Sequence, residues 1–187
     1  LNLFVAFLPL AILGLLLGDR IEAVLFAPIP VAIALIVGGV LILWAERRTH
    51  VERISTVDAM GPIDAFKIGL FQAVALIPGT SRSAATILGG LLTGLSRRTA
   101  AEFSFFIAIP TLLAATAYKL WGARDTMSMA ESETLLVSSA IAFVSALVSI
   151  RFLLKFVSNH SFAVFAWYRI VFGGLILLTW QMGWVQW

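Results

Sequence analysis

The sequence predicts an all-α fold, a polytopic membrane helical bundle that includes a re-entrant helix hairpin. Three observations predict it. The 187 residues are 60% hydrophobic and 12% charged, against about 45–50% and about 25% in soluble domains. The mean hydropathy is +1.00. Apolar runs of helical length recur along the chain, and one polar turn, Pro78-Gly79-Thr80-Ser81-Arg82-Ser83, sits among them. The whole of 1–187 reads as a single integral membrane domain.

The first apolar run, 3–17, contains Pro9 and is expected to end at Gly18-Asp19-Arg20. The second, 29–45, follows Pro28 and Pro30, which suit a helix start, and stops at Glu46-Arg47-Arg48. A polar loop over 46–61 carries Arg47, Arg48 and Arg53. Gly61-Pro62 then opens a helix with Asp64 in its first turn, where a carboxylate complements the helix dipole. This segment ends near Leu76, and a second runs from about Ser83 to Leu95. Each holds about 14 residues, short of the roughly 20 that a span requires. Joined by a polar turn, they read as a re-entrant hairpin over 62–95. The alternative is one continuous kinked helix; Gly79 and three hydroxyl residues favour a break.

Gly94 then marks a helix stop and Ser96 a restart, and spans are expected over 100–120, 134–156 and 162–182. The loop 122–133 sets Asp125, Glu131 and Glu133 against Arg124. Arg151 and Lys155 lie near a span end, where they can snorkel. Trp180, Trp184 and Trp187 suit an interfacial belt. The Lys/Arg bias puts the 46–61 loop, Arg97-Arg98 and the 155–160 turn on the cytoplasmic side. Only Arg82 is expected to sit well away from an interface.

Composition also excludes some chemistry. The net charge of +3 reflects basic loops and not a nucleic-acid patch. Without cysteine there is no disulfide or thiolate chemistry. His50 and His160 both fall in expected loops, which disfavours a metal site built on histidine pairs. The chain opens on Leu1 inside an apolar run, so an upstream N-terminal segment is expected; a signal peptide fits poorly.

The polar turn carries the chemistry. Irregular backbone at membrane depth must be satisfied by protein, water or ligand. An arginine there costs at least about 2.5–3.5 kcal/mol by insertion scales and is usually kept for function. Ser83 is expected to open the second short helix, aiming free N–H groups at the loop. Arg82 adds a planar fork suited to phosphate oxygens, and Thr80, Ser81 and Ser83 add hydroxyl donors. Together they read as an anion cradle. The competing reading has Ser/Thr capping the helix and Arg82 paired with a carboxylate.

Other candidates are weaker. Glu102 and Asp64 are the nearest acids in sequence, and both read as helix-start charges. Gln72 is either a ligand donor or a buried packing amide. Gly38-Gly39, Gly89-Gly90, Gly173-Gly174 and the Gly90–Gly94 small-xxx-small spacing read as close helix contacts. Tyr168-Arg169 reads as an interface anchor, the alternative being a contact to a lipid headgroup. Association into a homo-oligomer is left open.

The stretch from Gln72 through Pro78-Gly79-Thr80-Ser81-Arg82-Ser83 to Ile87 is distinctive, as are Gly89-Gly90, Ser96-Arg97 and the stretch from Ala101-Glu102 to Pro110. Together they closely resemble the undecaprenyl-diphosphate phosphatase family, known also for bacitracin resistance. The resemblance extends more loosely from the first span to Tyr168-Arg169. It implies a multi-pass enzyme of the bacterial inner membrane that removes the terminal phosphate of undecaprenyl diphosphate, regenerating the lipid carrier for peptidoglycan synthesis. It also implies inverted repeats with two re-entrant hairpins. Arg82, with Ser81 and Ser83, would form the catalytic set; Gly79, Thr80, Thr86 and Gln72 would bind the polyprenyl diphosphate.

Two departures stand out. Ala84 replaces a usual glycine. The family's glutamate-rich motif and Ser/His segment are not found, so a divalent cation, Mg²⁺ or Ca²⁺, would find its carboxylates upstream and no metal ligand here. The alternative function is a membrane transporter or flippase for a phosphate-bearing lipid, since broken helices also build transporter sites. A non-catalytic scaffold is a third reading.

Overall fold

The computed structural model describes residues 1–48, 51–124, 129–157 and 159–184, with the side chains of 129–132 set aside. His50, Asp125, Glu131 and Trp187 therefore lie outside the described residues or side chains. The order of helices is α1 (Asn2–Leu25), α2 (Pro28–Arg47), α3 (Pro62–Ala73), α4 (Arg82–Leu92), α5 (Arg97–Ala123), α6 (Met129–Val157) and α7 (Ala163–Gln181). Short 3₁₀ turns at Val57–Ala59 and Val74–Leu76 join them. Among the described residues, five helices are long and apolar enough to cross a membrane: α1, α2, α5, the 133–157 part of α6, and α7. Large apolar side chains cover their outer faces, as at Leu15, Phe143 and Val171. Such a surface suits lipid and not water. The chain is a multi-pass, all-α membrane protein.

The first helix departs from expectation. It does not stop at Gly18-Asp19-Arg20 but runs on to Leu25. Charged residues end the apolar span, yet they remain good helix formers, and nothing crowds Gly18. The end of the apolar run and the end of the helix are thus different residues.

One pole of the bundle gathers six helix ends. Asn2 at the start of α1 donates from Nδ2 to the Met60 carbonyl over 2.7 Å. At the end of α2, the Glu46 carboxylate accepts from Arg97 Nη2 at 2.7 Å and from the Phe162 backbone N–H at 3.1 Å. One largely buried acid therefore ties α2 to the starts of α5 and α7. The segment before α3 clasps the hairpin. Backbone N–H groups of Arg53 and Ile54 donate to the Gly94 carbonyl, and the Arg53 guanidinium donates to Asp64 and to the Thr93 carbonyl. The start of α3 and the end of α4 are thereby held together, so the two short helices double back on each other.

Local signals explain the hairpin's ends. Asp64, at the third position of α3, accepts from the Gly61 N–H, and Pro62 occupies the first turn. Arg53 holds the Asp64 carboxyl below its ordinary value, against the burial that would raise it. α4 ends at Leu92, not near Leu95, in a Schellman arrangement. Leu95 N–H reaches the Gly90 carbonyl, Gly94 N–H reaches that of Leu91, and Gly94 takes φ +89°. The glycine at 94 is the expected helix stop, and this cap, not a close helix contact, is what its place in the Gly90–Gly94 spacing serves. Ser96 caps α5, its hydroxyl accepting from the Thr99 N–H at 3.2 Å.

Most of the other paired glycines pack as expected, but Gly174 does not: nothing lies within 4 Å of where its Cβ would be. A methyl at Gly39 would meet the Ala166 carbonyl of α7, and one at Gly173 the Ala32 carbonyl of α2. Gly89 receives Phe71 of α3, and Gly90 receives Ala100 of α5. Among the buried residues between them, Ile68, Phe103 and Ile107 form the centre of the core.

Candidate active site

The polar turn lies at the far end of the hairpin from the clasped pole. Gly79 adopts φ +89° and sits against α2, where a Cβ would come within 2.5 Å of the Val31 carbonyl. Glycine is needed there on both counts. Thr80 N–H closes the turn onto the Ile77 carbonyl at 3.1 Å. Ser81 then takes φ +69° and ψ 115°. It is the non-glycine residue with positive φ among the described residues. Such backbone costs about 1–3 kcal/mol and persists only where the surroundings enforce it.

Ser81 is the N-cap of α4, accepting from the Ala84 N–H at 3.3 Å. The helix opens at Arg82, one residue earlier than expected from Ser83. Arg82 and Ser83 thus carry first-turn N–H groups that have no intrahelical acceptor. They sit at the positive end of the helix dipole, in an arrangement suited to an anion.

Arg82 pairs with no carboxylate among the described residues. Its Nη1 donates to the backbone carbonyl of Ser104 on α5, at 3.0 Å. The ion pairs among the described residues are Arg53–Asp64, Arg97–Glu46 and Arg98–Glu102. Asp64 and Glu102 are therefore engaged with arginines of their own. Glu102 also stands two residues from Ser104, on a different face of α5. Ser104, fully buried, donates from its hydroxyl to that of Ser83 at 3.2 Å. Ser104 lies within the distinctive stretch from Ala101 to Pro110, where sequence reasoning assigns it no role of its own, although a serine on an apolar face beside Phe103 and Phe105 is a usable signal.

The remaining candidates divide. Gly79, Thr80, Ser81, Arg82 and Ser83 come together at the tip. Thr86 is buried one turn further along α4, its hydroxyl donating to the Arg82 carbonyl at 2.8 Å. Gln72 on α3 is fully buried, and neither its amide nitrogen nor its amide oxygen has a partner among the described residues.

Arg169 is the main residue that sequence reasoning misplaced. It is buried in α7, 7% exposed, and no interface anchor. Its Nη2 donates to the Gly79 carbonyl at 3.0 Å and to the Ala34 carbonyl of α2 at 3.2 Å. Tyr168 beside it is exposed. The missed signal is its place six residues inside α7, about 9 Å along the axis. An ionisable residue so deep in a span is a functional candidate by default.

A cavity of about 300 Å³ opens beside these groups. Ser81, Ser83 and Arg169 line it, and Leu35, Leu88 and Phe165 are among its apolar residues. The site therefore joins a polar, cationic end to an oily groove between helices. Among the described residues, no three His, Cys, Asp or Glu side chains converge in a cluster able to hold a metal ion.

Comparison with known proteins identifies similar chains. The family profile described as bacitracin resistance protein BacA matches residues 1–175. The chain is 59% identical over 187 residues to the undecaprenyl-diphosphatase of Dechloromonas aromatica (strain RCB), covering 100% of this chain and 68% of that protein. It is 53% identical over 186 residues to undecaprenyl-diphosphatase 2 of Pseudomonas fluorescens (strain Pf0-1), covering 100% and 67%. It is 53% identical over 185 residues to the undecaprenyl-diphosphatase of Aromatoleum aromaticum, covering 99% and 68%.

Proposed function

Because the chain belongs to the bacitracin resistance protein BacA family, we infer that it is a hydrolase that dephosphorylates undecaprenyl diphosphate. The reaction recycles the lipid carrier of cell-wall synthesis. Water supplies an oxygen to the terminal phosphorus, the bond from that phosphorus to the bridging oxygen breaks, and undecaprenyl phosphate and inorganic phosphate leave.

The observation that carries the site assignment is Arg82. Among the described residues its partly buried guanidinium bonds to a backbone carbonyl and to no carboxylate. A cation withdrawn from water without a counter-charge is costly unless a ligand supplies one. A diphosphate is such a ligand. In this reading Arg82 stabilises charge on the transferring or leaving phosphoryl group. Ser81, Ser83 and Thr80 donate to phosphate oxygens together with the first-turn N–H groups of α4. Gly79 lets the backbone approach, and the prenyl tail follows the apolar groove. Thr86 supports Arg82 through its carbonyl, and Gln72, fully buried on α3, would support the hairpin from within and not meet the ligand directly.

The membrane placement belongs to the same proposal. α4 has 11 residues and rises about 16 Å. With the clasped pole at one surface, the loop lies near the middle of a hydrocarbon core about 30 Å thick. The hairpin is then re-entrant from the cytoplasmic side of the bacterial inner membrane. No step is assigned to a cation held by the described residues, since none of their acids and histidines cluster as a metal site would require.

The test is phosphate release from undecaprenyl or farnesyl diphosphate by the purified protein in detergent, with Mg²⁺ or Ca²⁺ varied, for wild type and Arg82→Ala. Release by wild type that falls by about 10³-fold or more in the variant is expected. Binding and transfer of the lipid without release would favour the transporter reading instead.

A further inference from the structure

We propose that Arg169 is a positioning residue for this reaction, holding the phosphate loop in shape from α7 through a notch that Gly38 leaves in α2. The inference rests on the phosphatase reading above. Three observations converge on it. The same Nη2 atom bonds the loop's Gly79 carbonyl and the Ala34 carbonyl of α2, so one group ties the loop to two helices. A methyl group at Gly38 would overlap the Arg169 guanidinium, so the small residue on α2 matches the long one on α7. Arg169 also lines the same cavity as Ser81 and Ser83.

The geometry explains what this tie does. Gly79 and Ser81 both carry positive φ, with Thr80 between them. Two such residues flanking a third make a turn that many alternative conformations would replace in a free chain. Fixing the Gly79 carbonyl fixes the peptide plane that leads into Thr80. The direction in which Ser81, Arg82 and Ser83 leave the loop is set by that plane. The guanidinium suits this task because its fork is rigid, whereas an ammonium is a point donor on a flexible stem.

Arg169 is not needed to hold α2 against α7. Those helices already meet through Gly39 on Ala166 and Ile170, and through Gly173 on Ala32 and Ile36. A buried arginine that served packing alone would be a costly substitute for leucine. Its Nε is buried without a partner, and no carboxylate pairs with it among the described residues. A second cation without a counter-ion therefore borders the site from behind the loop.

The experiment measures kcat and KM for undecaprenyl diphosphate in wild type, Arg169→Met, Arg169→Lys and Gly38→Ala, per mole of monodisperse protein, with melting temperatures alongside. Gly38→Ala is the decisive variant because it displaces the guanidinium yet keeps every charge. Misplacement of reacting groups by about 1 Å costs on the order of a hundredfold in rate. The expected result is a fall in kcat of roughly that size in Arg169→Met and Gly38→Ala, a smaller fall in Arg169→Lys, and KM within about threefold of wild type. Unchanged kcat with lowered melting temperature would make Arg169 a brace between helices and overturn the proposal. A rise in KM alone would make it a direct binding contact, which also overturns it. A wild type that binds the lipid without releasing phosphate overturns the phosphatase reading itself, a result separable from the other two.

Discussion

Ser81 combines two roles whose energies can be separated by substitution. It caps α4 through its hydroxyl, and it holds a backbone conformation at φ +69° that side chains with a Cβ rarely adopt. Replacing it by alanine removes the cap, costing about 0.5–2 kcal/mol, and leaves the backbone penalty in place. Replacing it by glycine loses only a few tenths of a kcal/mol at the cap and relieves about 1–3 kcal/mol of backbone strain. Ser81→Gly should therefore be more stable than wild type by about 1 kcal/mol, and Ser81→Ala less stable by about 1 kcal/mol. For a chain of this size a 1 kcal/mol change moves the melting temperature by about 2–4 °C. The two variants should differ by about 4–8 °C in one detergent, followed by tryptophan fluorescence. Phosphate release should fall in both, because both lose the hydroxyl that faces the cavity. Ser81→Gly melting below Ser81→Ala would refute the strain argument. Full activity in Ser81→Gly would show that the hydroxyl takes no part and that the turn alone matters.

Other expectations follow from the same structure. Gln72 is buried with both amide atoms unpartnered, a condition costing about 1–3 kcal/mol. Gln72→Leu should raise the melting temperature and lower activity; a loss of both would mean that the amide serves the fold. Asp64 is held by Arg53 below its ordinary value of 3.8. Its contribution is therefore complete above that value and disappears as pH falls through the lower folded value. Arg53 is largely exposed, so the effect is at the small end for ion pairs. The melting gap between wild type and Asp64→Asn should be constant near neutrality and close below about pH 4; a gap that widens on acidification would contradict this.

Much of the architecture was legible because membrane solvent imposes simple rules. Long apolar runs at α2, α5, α6 and α7 had to be helices, since lipid leaves their backbones no other partner. The loop from Pro78 to Ser83 was legible for the converse reason: a turn with an arginine has no place in lipid unless it does something. Helix ends were less legible. Charges at Asp19 and Arg20 stop a span without stopping a helix, so α1 runs on to Leu25. The start of α4 at Arg82, one residue before Ser83, depends on the φ of Ser81, which no residue identity announces.

The sequence by itself determined the class of this protein, the family to which it belongs, and the loop where its charge is concentrated. These are local properties, written in composition, in apolar run length and in one contiguous motif. Only the tertiary structure decided which distant residues serve that loop. Ser104 beneath Arg82 and Ser83, Arg169 on the Gly79 carbonyl, and the space at Gly38 all lie far from the motif in the chain. Their roles arise from how α2, α5 and α7 pack around a short hairpin. Packing registers one helix against another through many weak contacts spread over the whole molecule, and no local stretch of sequence encodes that register.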